Sequence, residues 1–145
     1  MVALSATVSL PSMPMLSFPT HAFAQMIGHA YDGYPLEACG LLVGHGDRVE
    51  RFVACSNEAA SARIYTIPST ELLRAERAAE AEGLEIIGVF HSHTHSEPYP
   101  SPTDVEQAPD PTWHYVIVSL KREAPETRSF RLVDGVISEE RVGAG

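Results

Sequence analysis

The hydrophobic positions of the chain fall into short runs that predict buried β-strands. Most of these runs are continuous and rich in Val, Ile and Leu, a pattern typical of strands covered on both faces. The run at residues 48–55 instead alternates apolar and polar positions, as a strand with one solvated face does. The predicted strands cover residues 16–18, 39–43, 48–55, 83–90, 113–119, 128–133 and 136–142.

Two longer segments repeat their apolar residues at intervals of three and four, which predicts amphipathic helices. The first begins after Pro19 and ends at Gly33, and the second runs from Pro68 to about Glu82. We expect the apolar stripe of each helix to pack against the strands. The sequence therefore predicts an α/β fold, in which a mixed β-sheet is flanked by two main helices.

Length and charge narrow the choice of function. A chain of 145 residues can bury about two-thirds of its unfolded surface, so we expect one domain over residues 16–145, after a flexible extension over residues 1–15. The net charge of −9 argues against a nucleic-acid surface. Residues 1–30 contain no Lys or Arg to begin a signal peptide, and their three prolines argue against a membrane span. We expect a cytoplasmic protein that binds neither nucleic acid nor membrane.

The two cysteines, Cys39 and Cys55, lie in or beside apolar strand runs. They could pair in principle, but this position favours two buried thiols. Basic groups that would lower the thiol pKa do not flank them, which argues against a cysteine nucleophile.

A candidate metal site follows the strand at residues 83–90. Residues two apart on a strand point to the same side, so His91 and His93 can converge on one ion. Two imidazoles and the carboxylate of Asp104 would fill three corners of a tetrahedron and leave the fourth for water, as in a hydrolytic zinc site. His95 is a competing candidate ligand, although we expect it at the rim of the site.

The segment between the histidines and Asp104 predicts a rigid loop, because residues 97–102 contain three prolines. Ser101 or Thr103 can cap the helical turn that follows. That turn would return the Asp104 carboxylate to the histidines.

The spacing of these residues matches a known family. His91, His93, a gap of seven residues, Ser101 and then Asp104 resemble the JAMM motif of the MPN-domain (Mov34, PAD-1) metallopeptidases. The likeness extends over most of the chain from about residue 16. It implies a JAB1/MPN fold, similar to that of cytidine deaminases, and an upstream glutamate that completes the site, here Glu37.

Two rival metal-dependent folds use related strings. Metallo-β-lactamase-like enzymes need Asp and then His at the positions that His95 and Ser96 occupy here. Amidohydrolase barrels begin with His-x-His but need about 250 residues for their eight strand–helix units. A chain of 145 residues is too short for such a barrel.

The resemblance also implies roles for the side chains. A zinc ion bound to His91, His93 and Asp104 lowers the pKa of its water toward neutrality. Glu37 is then the general base, which afterwards protonates the leaving amine. Ser101 donates its hydroxyl to the oxyanion of the tetrahedral intermediate.

The closer likeness, in residues 37–40, 99–101, 103–105 and 114–119, is to bacterial enzymes that release cysteine from a ThiS-like sulfur-carrier protein. This implies hydrolysis of a cysteinyl adduct on the Gly-Gly tail of a small ubiquitin-like partner. The insertions with which deubiquitinating members grip ubiquitin are missing from the short connections after Cys55 and Asp104.

Two other functions stay open. One is the same chemistry on another ubiquitin-like or cell-wall peptide substrate, and the other is a non-catalytic MPN scaffold. The sequence leaves the oligomeric state undetermined.

Overall fold

The computed structural model describes residues 14–145, which form seven strands and three helices. The strands are β1 (Met15–Phe18), β2 (Cys39–His45), β3 (Arg48–Cys55), β4 (Glu85–His93), β5 (His114–Ser119), β6 (Glu126–Val133) and β7 (Val136–Ala144). The helices are α1 (Thr20–Gly33), α2 (Ser69–Ala81) and α3 (Pro102–Glu106). All the predicted strands and both main helices are confirmed, with ends shifted by a few residues. None of the helices in this range is long and apolar enough to cross a bilayer.

The strands form one mixed sheet in the order β1-β3-β2-β4-β5-β6-β7. β4 and β5 are parallel, as are both pairings of β1, and the remaining neighbours are antiparallel. The sheet is closed because β1 pairs with β3 on one side and β7 on the other. The predicted mixed sheet is confirmed, but its closure was not predicted. Closure gives the outer strands β3 and β7 a backbone partner that an open sheet would lack.

The two main helices cover opposite faces of the sheet. Leu42 and Phe90 belong to the core that includes α1, and their neighbours Leu41 and Val89 belong to the core that includes α2. Successive residues of a strand point to opposite faces, so β2 and β4 supply both cores. Burial of both faces explains why the sequences of β2 and β4 are almost continuously apolar. Toward its C-terminal end, β4 carries the polar residues 91–93.

The cysteines lie directly opposite each other on β2 and β3. Both are free and buried, as predicted. Burial raises the pKa of each thiol to about 12, so neither Cys39 nor Cys55 carries a thiolate at neutral pH.

A buried polar cluster that sequence reasoning missed joins β5, β6 and β7. Glu140 accepts hydrogen bonds from His114 Nδ1 and Ser129 Oγ, each at 2.6 Å. All three side chains are buried. Burial acts to raise the pKa of Glu140, but the hydrogen bonds from His114 and Ser129 lower it below its usual value. The cluster therefore holds an ionised carboxylate inside the sheet.

Glu140→Ala is expected to lower the free energy of unfolding by about 3 kcal/mol at pH 7, because it leaves His114 and Ser129 buried without their acceptor. Urea unfolding measures the change. The control is Glu139→Ala, which removes a half-exposed carboxylate 3.5 Å from Arg128 and should cost less than about 1 kcal/mol. Equal losses in the two variants would show that the cluster contributes nothing specific.

The same cluster sets an expected pH dependence. A carboxylate whose folded pKa is lowered stabilises the fold above its unfolded pKa, about 4.3 for glutamate. That contribution is lost as the pH falls from there through the folded pKa. The difference in the free energy of unfolding between wild type and Glu140→Ala should therefore become smaller as the pH falls below about 4.3.

Candidate metal centre

The candidate metal centre lies where β4 ends and α3 begins. His91 and His93 are buried on the same side of β4. Their Nε2 atoms lie 3.1 Å apart, and each lies 3.2 Å from Oδ2 of Asp104. Within residues 14–145 this is the one group of three or more His, Cys, Asp or Glu whose ligand atoms converge in this way.

The capping of α3 positions the carboxylate. Ser101 is the N-cap, and its Oγ accepts the backbone N–H of Asp104 at 3.0 Å. In return Asp104 Oδ2 accepts the backbone N–H of Ser101 at 2.8 Å, which completes a capping box. The cap is therefore Ser101, and Thr103 lies inside the helix. Since the Ser101 oxygen accepts in this cap, its own O–H remains available as a donor.

The three ligand atoms fit a tetrahedral metal ion. Nitrogen and oxygen ligands bind zinc at about 2.0–2.1 Å, which corresponds to edges of about 3.3–3.4 Å in a tetrahedron. The observed separations of 3.1 and 3.2 Å are close to those edges. Two imidazole nitrogens that face one carboxylate oxygen at such distances form a donor set typical of a divalent cation.

The two histidines are held differently. His93 Nδ1 lies 2.8 Å from the backbone carbonyl of Glu97, which fixes the ring with Nε2 facing Asp104. His91 Nδ1 is buried and has no hydrogen-bond partner among the described residues. Instead the ring of Tyr65 stacks on His91 with centroids 4.4 Å apart. Packing, rather than a hydrogen bond, therefore orients His91.

The charges of the cluster are strongly coupled. Burial acts to raise the pKa of Asp104, but hydrogen bonds from both histidines lower it far below its usual value. Burial lowers the pKa of His91. Burial also acts to lower the pKa of His93, but its bonds to Asp104 and Glu97 raise it overall. Asp104 is thus ionised and ready to bind a cation.

Glu37 lies beside this cluster, just before β2. Cys39 pairs with His91, and the backbone N–H of Ser92 donates to the carbonyl of Ala38 at 2.9 Å. Continued by one residue, this antiparallel register brings Glu37 next to His93. The Glu37 side chain is 4% exposed, and its Oε1 is buried without a hydrogen-bond partner in the described part of the chain.

The environment of Glu37 suits proton transfer. Burial raises the pKa of the Glu37 carboxyl to about 7, with Asp104 adding to the rise and His93 opposing it. A carboxyl with a pKa near neutrality can both accept and return a proton at physiological pH. Hydrogen bonds from its backbone N–H to Ser61 and from Asn57 Nδ2 to its carbonyl hold this segment in place.

His95 lies at the rim and is not part of the converging group. Its side chain is exposed, with Nε2 3.4 Å from the hydroxyl of Tyr34 and Nδ1 2.9 Å from Thr94 Oγ1. Sequence reasoning gave no role to Tyr65 or Glu97. Tyr65 is 26 residues before His91 in the chain, and Glu97 acts through its backbone carbonyl, so no local side-chain pattern reveals either contact.

Residues 19–133 match the family described as prokaryotic homologs of the JAB domain. The chain belongs to this prokaryotic JAB family. The resemblance found in the sequence is therefore confirmed. The fold agrees as well: AF2198, a JAB1/MPN domain protein from Archaeoglobus fulgidus, superposes with a TM-score of 0.59 at 18% identity, covering 88% of this chain and 99% of that one.

Curated relatives of this JAB-family chain carry peptidase names. It is 42% identical over 120 residues to a CysO-cysteine peptidase of Mycobacterium tuberculosis, across 81% of this chain and 82% of that protein. It is 36% identical over 111 residues to a desampylase of Haloferax volcanii, across 72% and 80% of the two chains.

Proposed function

We propose that this protein is a zinc-dependent peptidase that hydrolyses the C-terminal amide of a small ubiquitin-like carrier protein and releases cysteine. The observation that carries the proposal is the convergence of His91, His93 and Asp104 beside the buried carboxyl of Glu37. Three protein ligands leave a coordination position open, as hydrolytic zinc sites require. The name of the relative that is 42% identical supports the choice of reaction.

The roles of the side chains follow from their positions. A zinc ion in this site would polarise the substrate carbonyl and lower the pKa of water toward neutrality. Glu37, with its pKa raised to about 7, takes the proton of the attacking water and returns it to the leaving amine. The Ser101 hydroxyl donates to the carbonyl oxygen as negative charge develops there. The backbone carbonyl of Glu97 holds His93 in the orientation that zinc binding would need.

The substrate class rests on the relatives and on the tail that the resemblance implies. A Gly-Gly tail has no side chains, so its backbone can approach a buried pair of histidines closely. The name CysO-cysteine peptidase, carried by a relative that is 42% identical, supports an adduct of cysteine as the substrate. A carrier with such a tail is the partner that we propose.

The test is to incubate the zinc-loaded protein with a carrier whose Gly-Gly terminus bears one cysteine, and to weigh the products. We expect the carrier to lose the mass of one cysteine residue and free cysteine to appear in equal amount. A Gly→Leu change next to the scissile bond should slow cleavage by at least about tenfold, because the walls around the site then clash with the added side chain. An intact adduct, with zinc bound, would refute the proposed reaction.

Isopeptide cleavage is the second candidate, and the likeness to the desampylase favours it. A carrier conjugated through its terminal glycine to a lysine side chain distinguishes the two. Faster cleavage of that conjugate than of the cysteinyl adduct would replace the proposed substrate while keeping the chemistry.

A further inference from the structure

A pair of exposed hydrogen-bonding side chains, Tyr34 and His95, extends the candidate site on the side of Glu37. The antiparallel pairing of β2 with β4 ends at Cys39 and His91, and hydrogen bonds between Ala38 and Ser92 extend it by one residue. Beyond that point the segment before Glu37 contacts the segment after His93 through Tyr34 and His95, whose rings lie 5.9 Å apart between centroids.

This side of the site must receive the leaving group. Glu37 returns its proton to the amine that departs, so that nitrogen has to lie within hydrogen-bond reach of the Glu37 carboxylate. When the leaving group is a single amino acid, its α-carboxylate follows the nitrogen after one carbon atom. We therefore expect the carboxylate to extend toward Tyr34, which precedes Glu37 by three residues, and His95, which follows His93 by two.

The hydrogen bonds of His95 leave its Nε2–H free to donate to a ligand. Thr94 Oγ1 lies 2.9 Å from His95 Nδ1 and 3.5 Å from the carbonyl of Ala62, and we assign its proton to the shorter contact, so that Thr94 donates to the ring. A neutral imidazole that accepts at Nδ1 carries its proton at Nε2. That N–H and the Tyr34 hydroxyl lie 3.4 Å apart, too far for a strong bond between them but close enough for both to donate to one carboxylate.

Two cations near the loop that follows His93 are already paired. Lys121 and Arg122 bind the carboxylate of Glu97 at 2.9 and 2.8 Å. The protein as a whole has a net charge of −9, so an incoming carboxylate needs local donors to hold it. Tyr34 and His95 are both exposed, and they supply such donors at the edge of the site.

We infer that Tyr34 and His95 bind the free α-carboxylate of the released amino acid and thereby favour a single C-terminal residue over a lysine-linked protein as leaving group. This inference rests on the proposed function, because it names the part of the substrate that the same site recognises. A lysine joined through its side chain has no carboxylate near the scissile nitrogen, so it cannot use this pair of donors.

The test compares two carrier adducts that differ in one group: C-terminal cysteine as the free acid and as its primary amide. We expect the wild type to favour the acid by at least about tenfold in kcat/KM, since hydrogen bonds to a charged acceptor are the stronger ones. Tyr34→Phe and His95→Ala should each bring the ratio of acid to amide toward one. Tyr31→Phe, an exposed tyrosine on α1, is the matched control and should keep the preference.

Binding gives a second readout that does not depend on turnover. The dissociation constants of both adducts are measured on zinc-loaded Glu37→Gln, with and without Tyr34→Phe. The inference is supported if Glu37→Gln binds the acid more tightly than the amide and Tyr34→Phe removes this difference. Equal cleavage and equal binding of acid and amide by proteins with intact Tyr34 would overturn it and leave the proposed function standing, whereas cleavage of neither adduct would refute the function itself.

Discussion

Glu37→Gln is expected to lower kcat for the cysteinyl adduct about a thousandfold, within the range of 10²–10⁴ typical of general acid–base catalysis. Glutamine has the shape of glutamate but cannot accept a proton from water or return it to the amine. The carboxyl at this position is buried, with a pKa raised to about 7, so no bulk water can replace it easily. Zinc content should stay at one per chain, because Glu37 is not among the three converging ligands.

The matched control is Glu106→Gln, which neutralises an exposed carboxylate on α3 two residues beyond Asp104. Its kcat should stay within about twofold of the wild type, since surface substitutions rarely disturb a site. Single-turnover rates separate chemistry from product release. Near-normal turnover in Glu37→Gln would remove Glu37 from the mechanism.

Loss of a ligand should abolish both zinc binding and activity. His91→Ala removes one of the three converging ligand atoms. Asp104→Asn removes the negative charge, but its amide oxygen can still accept the backbone N–H of Ser101 in the capping box. Both variants should contain less than about a tenth of the wild-type zinc after reconstitution, since a site with two remaining ligands binds zinc far more weakly. Elemental analysis of the reconstituted proteins measures this.

His95→Ala is the control for the ligand set, because His95 lies at the rim and outside the converging group. It should keep one zinc per chain. Circular dichroism of His91→Ala checks that loss of a buried side chain has not unfolded the domain. Zinc retained in a folded His91→Ala, or lost in His95→Ala, would mean that the ligands are wrongly assigned.

Local pattern explains why much of this site could be predicted. The two-residue repeat of a strand brings His91 and His93 together, and the run of prolines followed by Ser101 predicts a loop and a capped turn. Both features depend on residues close in sequence, and both are present in the structure. The buried runs that became β2, β4 and β5 were predictable for the same reason.

Contacts between distant residues were harder to predict. The short strand β1 closes the sheet by pairing with β3 and β7, which lie far from it in the chain. Glu140 meets His114 across 26 residues, and a lone His and a lone Glu in strand patterns carry no sign of such a bond. The place of Glu37 beside His93 came only from the family resemblance, since no local spacing links them.

The measurement that tests the account most directly is a zinc titration of the activity. The protein is stripped of metal with a chelator, zinc is returned in increments, and cysteine release from the carrier adduct is followed at each step. We predict no release without metal, a rise in proportion to added zinc, and a plateau at one equivalent per chain. Undiminished release from the stripped protein, or no release at any amount of bound zinc, would contradict the proposal that this chain is a zinc-dependent peptidase.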